Sequence, residues 1–585
     1  MGIGSRRARV GGERGSTLPC PLFSCQKRCL KRHFTPFSTQ KSAALCAITR
    51  HNAVICTNSH AANRRPFLCN RVRSNRVYLI MLNPLPAAKW NEATAAHLWN
   101  RAGFGGTPEE IARIAGLSHD AAISWFLDYE RIPDDVAPPD WARPDPERQQ
   151  KLRNIQQMTK AEKDPATPDD EKQKLAQKRR EMFQEYQREN VRQLEEMRIA
   201  WLRRMAHGPR PLQEKLTLFW HGHFATSAVK VRESYFIWRQ IDLFRRMAAG
   251  NWLALLEAVA TDPAMLVWLD QAQSRKEHPN ENFAREVMEL FTLGEGHYTE
   301  KDVTEAARAM TGWSLDRMNE EYRYRPFLHD NGAKTFLGRA GNLNGRDVLE
   351  TVVAQPQAAL FITAKLWKFF ASDDPRPEVI AALAQVFRDS GNEFKPLLRA
   401  MFRCQEFYDD SVVRSQVKSP VQWLVGSIRL LERTMPPPLV CTEMTRNLGQ
   451  DLLAPPNVKG WDGGVSWITT NTLLGRYNDA AILVMGQGNL GSTGDRPGLK
   501  FIADRANEMA RNLEPADVAK FISQEDRADK PRLIASLERR FLQGALSPKQ
   551  RDALRDYLNR HDYLTDNDLR HAIRLLMATP DYQLI

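Results

Sequence analysis

The sequence predicts a mainly α protein, a multi-helix array with a long charged helical hairpin and a small β-hairpin insertion. Three observations carry that expectation. Apolar residues recur at helical spacing: Phe283, Val287, Leu290 and Phe291 share one side at about 100° per residue, and Asn282, Arg285, Glu286 and Glu289 form the opposite stripe. Residues 147–204 are charged and helical, interrupted only at Asp164-Pro-Ala-Thr-Pro-Asp169, as two antiparallel helices around a short connection would be. Strand-like alternation is short, at 322–327, and is followed by the tight-turn pair Asn331-Gly332.

Length and charge divide the chain. Residues 1–80 hold 15 of the 83 Lys and Arg but one acid, Glu13, whereas the other 505 residues carry 68 bases and 69 acids. The net charge of +13 therefore belongs to a basic leader, and the near-neutral body gives no footprint for nucleic acid. Six of the eight cysteines also lie in the leader, leaving Cys404 and Cys441 and no disulfide framework for the body. The leader is Arg-rich and lacks a clear signal-peptide pattern, so it reads as a transit peptide or as an upstream extension with Met81 as the true start. Cytoplasmic location is the default, with no apolar run long enough for a membrane helix. Beyond the leader, 81–485 is expected to form the main helical domain and 486–585 a C-terminal helical subdomain; oligomeric state is left open.

In chain order, Gly103, Gly105 and Gly106 lack the strand and lysine of a phosphate loop, and Thr107-Pro-Glu-Glu110 is instead a helix start. Pro211 begins a helix with Leu212, Leu216 and Phe219 inward and Glu214 and His221 on a neighbouring stripe. In continuous helix His221 and His223 would diverge by about 200°, but a break at Gly222 would turn both one way. Gly294 and Gly296 form a corner containing His297, and Thr299 with Asp302 is a capping box for the next helix. The hairpin is expected to carry His329 and Asp330. Gly250-Asn-Trp252 has a faint echo at Gly391-Asn-Glu-Phe394, and 455–467 is a Gly/Pro loop bearing Trp461 and Trp467, indoles suited to stacking on a sugar or sealing a pocket.

Two readings follow from these residues. In the first, His221 and His223, with His329 and Asp330, hold a divalent metal; Glu286 or Glu289 is a ligand or general base and Arg285 steadies an anion in metal-assisted hydrolysis. Glu214, Asn282, His297, Asp302, Trp461 and Trp467 are further pocket candidates. In the second, the same groups form ion-pair ladders, caps and a buried polar network in a noncatalytic helical scaffold or binding protein.

Several motifs closely resemble a bacterial family called domain of unknown function 1800: Ala102-Gly-Phe-Gly105, Pro211-Leu-Gln-Glu-Lys215, Phe219-Trp-His-Gly-His223, Asn280-Glu-Asn-Phe-Ala-Arg-Glu286, Glu289-Leu-Phe-Thr-Leu-Gly294, Gly296-His-Tyr-Thr299, His329-Asp330 and Pro456-Asn-Val-Lys-Gly-Trp461. They run in order through about 90–585. The resemblance implies a bacterial protein, often exported and frequently encoded beside a sulfatase-like companion protein, the partner that the scaffold reading would take; it implies no reaction, substrate or cofactor.

Overall fold

The computed structural model describes residues 82–134, 136–490 and 500–585, so the leader and Met81 lie outside the described residues. Among the described residues there are 24 α-helices and two two-stranded antiparallel sheets, in accord with the mainly α expectation. All of them fall within one compact unit, Arg76–Ile585.

The helix Pro211–His223 is the centre of the fold. Twelve of its thirteen residues are buried, polar ones included, so each polar group needs an internal partner. Glu214 accepts from the guanidinium groups of Arg204 and Arg245, Lys215 Nζ donates to the Gly103 carbonyl at 2.7 Å, and Trp220 Nε1 donates to the Ala248 carbonyl at 2.8 Å. Trp220 also packs on Trp252 and Phe394 at ring separations of 5.9 and 4.9 Å. Here the echoed segments meet: Trp252 N–H donates to the Asn392 carbonyl at 2.9 Å and Phe394 N–H to the Gly250 carbonyl at 3.0 Å. The repeat is thus a pair of antiparallel helix starts, each bringing one aromatic ring to the same cluster.

The charged hairpin is Pro146–Lys163 packed along Asp169–His207. Its first helix buries Arg148 alone, as a solvated arm would. The second differs: Leu194, Met197, Trp201 and Met205, at spacings of three and four, carry its C-terminal half into the core with Leu202 beside them.

The small β insertion has a finer structure than the alternation suggested. Trp313–Asp316 pairs with Glu321–Tyr324, and Lys334–Phe336 pairs with Arg339–Gly341. The second turn uses Leu337 and Gly338 at φ 44° and 86°, the two left-handed positions a tight hairpin requires. Asn331-Gly332 therefore joins the two hairpins and does not close one. Thr299 and Asp302 form the expected capping box, and Gly294 and Gly296 take positive φ at the corner before it.

Candidate functional site

A cavity of about 360 Å³ opens between the end of the central helix, the helix Pro356–Phe370, the strand-like segment after Ser415 and the loop 455–467. Gly222 and His223 form its floor, Lys365, Lys368 and Phe369 one wall, and Lys459, Trp461 and Trp467 another. The loop closes against the central helix at glycines. Gly460 holds φ +81°, and a Cβ there would lie 2.3 Å from the Gly222 carbonyl oxygen, so only glycine fits.

Lys365 and His223 form the polar centre. Lys365 Nζ lies 2.9 Å from the Leu290 carbonyl oxygen, 3.4 Å from His223 Nδ1 and 4.7 Å from the centre of the Phe361 ring. His223 Nε2 is 3.1 Å from the Phe291 carbonyl oxygen, so Nε2 carries the proton and Nδ1 accepts. Both receiving carbonyls come from one irregularity. The helix Glu281–Glu286 widens into a π-helix at Val287–Thr292, which ends there, leaving its last carbonyls without helical donors. Burial drives the His223 pKa well below its ordinary value, with Lys365 adding to the effect; burial, then Lys368, lowers Lys365 to about 8.

The charges are uneven. Three lysines line the cavity against Asp373 and Asp462. Asp373 lies 3.9 Å from Lys368 Nζ and also acts on the buried Arg101 guanidinium. Lys365 and Lys459 have no ion pair among the described residues.

The predicted metal ligands do not converge. The central helix continues through Gly222, so His221 and His223 diverge as continuous helix requires. His221 Nε2 accepts from Leu453 N–H at 3.1 Å with its ring edge-on to Trp201 and Trp461, and burial holds its pKa down to about 3. His329 Nδ1 instead donates to the Thr311 carbonyl at 2.9 Å, and Asp330 takes Arg308 and the Gly332 N–H, so this pair secures a turn. Among the described residues no group of three or more His, Cys, Asp or Glu is arranged to hold a metal ion.

The remaining candidates separate by partner. Glu214 is a buried structural carboxylate, and Asp302 caps its helix while accepting from Leu337 N–H. Arg285 forms a two-pronged pair with Glu300, and Glu289 accepts from the Tyr298 hydroxyl at 2.6 Å. Asn282 and His297 are exposed. Glu286 lies nearer the cavity: burial and then Glu289 raise its pKa, and the cavity-lining Lys459 opposes them. Trp461 and Trp467 both line the cavity. The sequence reading missed Lys365 and Lys368. Their signal was two ammonium groups three residues apart on a helix otherwise rich in Phe, Leu and Trp.

Fold and site together define a helical protein with a lysine-lined, indole-walled pocket. The chain belongs to the DUF1800 family, described as a protein of unknown function, whose family model matches residues 97–584. No curated protein and no solved structure matches it. No helix among the described residues is long and apolar enough to cross a membrane.

Proposed function

We propose that the protein binds a small ligand bearing an anionic group in the lysine-lined cavity. One observation carries this reading: Lys365 is anchored through two acceptors, the Leu290 carbonyl and His223 Nδ1, while its ammonium has three donors. The third donor has no protein acceptor among the described residues, and a carboxylate or phosphate oxygen would satisfy it. Lys459 supplies a second cation from the opposite wall, and Trp461 and Trp467 supply flat apolar surface for the rest of the ligand. A low-dielectric pocket strengthens such contacts relative to water.

Calorimetric titration with inorganic phosphate, acetate and glucuronate tests this reading. Saturable binding of at least one, weakened about tenfold or more by Lys365→Met, is expected, since a charged hydrogen bond is worth roughly 1.5–3 kcal/mol. Equal binding to wild type and variant would sink it.

A scaffold role is favoured by a separate observation, the exposed first helix of the hairpin, Pro146–Lys163, which buries a single residue and leaves its charged surface open. In that reading the sulfatase-like companion docks on the arm. Removing residues 150–185 would then abolish co-purification with the companion and leave anion binding unchanged.

A further inference from the structure

We infer that Lys365 is a reactive amine that forms an imine with a small aldehyde or ketone carrying a carboxylate. The inference rests on the anion-binding reading above and adds a covalent step to it.

Comparison among buried lysines singles out this residue. Lys215 is fully buried, but its Nζ is held by the Gly103 carbonyl against the Phe104 ring and does not line the cavity. Lys418 Nζ donates to the Tyr582 carbonyl at 2.6 Å over that tyrosine's ring, also outside the cavity lining. Lys365 combines an anchored stem, access to the cavity and a neighbouring cation. Its Nζ sits 4.7 Å from the centre of the Phe361 ring, and Lys368, one helical turn further on, lines the same wall. An apolar surrounding and a nearby ammonium both disfavour the charged amine, the combination that activates lysine toward carbonyl carbon. The lowered pKa agrees with that geometry: at pH 7 about a tenth of Lys365 is free amine, against well under a hundredth for an ordinary lysine.

The surrounding groups match the steps. Neutral Nζ attacks the carbonyl carbon, a C–N bond forms, and the carbonyl π pair moves to oxygen. Nζ loses a proton to His223 Nδ1, the acceptor 3.4 Å away, whose tautomer is maintained by the Nε2–H bond to the Phe291 carbonyl. His223 passes that proton to the alkoxide oxygen, giving a neutral carbinolamine, and the nitrogen lone pair then expels the hydroxyl, which leaves as water with the second Nζ proton, giving a neutral C=N bond. Amine and carbonyl become imine and water, with no redox partner. Lys368 and Lys459 are placed to hold the ligand's carboxylate during this exchange.

Reductive trapping of the full chain tests the proposal. The protein is incubated with glyoxylate and cyanoborohydride at limiting time, and the adducts are mapped by peptide mass spectrometry. Lys365 is expected to gain one carboxymethyl group about tenfold or more faster than the exposed lysines at pH 7. Lys365→Arg should abolish that adduct, and His223→Gln should slow it severalfold. Labelling spread over surface lysines without preference for Lys365, in protein that binds phosphate or another anion saturably, would overturn the imine and leave the anion pocket standing. Absence of both saturable anion binding and selective labelling would overturn both.

Discussion

His221 shows how burial can impose a proton state without giving a side chain a reaction. Its Nε2 accepts from Leu453 N–H, so the ring must stay neutral, and its pKa of about 3 lies below the ordinary histidine value because charging it means burying an ion beside Arg198. A histidine with a lowered folded pKa contributes stability fully above the unfolded value near 6.5 and loses it as pH falls toward 3. His221→Gln keeps an acceptor but cannot titrate. Urea melts should show it about 1 kcal/mol less stable than wild type at pH 7, with the difference cancelling a little below pH 6 and reversing in the variant's favour toward pH 4. A difference constant with pH would contradict this linkage. Glu214 makes the complementary case: it is 1% exposed and shared by Arg204 and Arg245, so Glu214→Gln should cost about 3–5 kcal/mol by leaving two cations underpaired. Anion affinity measured on the folded fraction should stay unchanged, because none of the three residues lines the cavity.

At the scale of elements, the loop 455–467 and the central helix test one another. A Cβ at Gly460 would collide with the Gly222 carbonyl and adopt unfavourable left-handed backbone, whereas a Cβ at Gly222 meets nothing within 4 Å and would project beside the cavity it lines. Gly460→Ala should therefore lift the loop, redden Trp461 emission and weaken anion binding, while Gly222→Ala should leave the melting midpoint within about 2 °C. Comparable destabilisation by both would show that the loop does not dock as described. The elements themselves were largely readable from local chemistry. Thr107 with Glu110 and Thr299 with Asp302 cap their helices through bonds spanning three residues, and the hairpin break at Asp164 needed nothing more than proline and turn composition. The π-helix at Val287–Thr292 was not readable, because its apolar residues fit a 3.6-residue period nearly as well.

Across the whole molecule, residues far apart in sequence support the cavity. Ile585 N–H donates to the Gln416 carbonyl at 2.9 Å, Lys418 N–H donates to the Gln583 carbonyl at 2.8 Å, and the Tyr582 hydroxyl meets Ser427 Oγ at 2.7 Å. Gln416 and Ser419 line the cavity, and the helix Asp566–Met577 packs on Thr470–Met485 beside its loop. Deleting residues 581–585 should lower stability by about 3–5 kcal/mol through loss of the buried Tyr582 and weaken anion binding as well. Retained affinity in the truncated chain, measured by the same titration, would show that this edge is dispensable to the site.

Periodicity, caps and composition by themselves determined that this is a helical protein with a charged hairpin whose excess of basic residues lies in positions 1–80, because those signals act over spans of a few residues. They also picked out Trp461 and Trp467, whose glycine-rich loop marks them locally. Tertiary structure decided which polar residues share a site. His221 and His223 are two residues apart yet face different neighbours, whereas Lys365, His223 and the Leu290 carbonyl, widely separated along the chain, meet within hydrogen-bonding distance. The physical reason is that a buried polar group must take whichever partner the packed helices bring to it, and helix crossing sets that partner independently of sequence spacing.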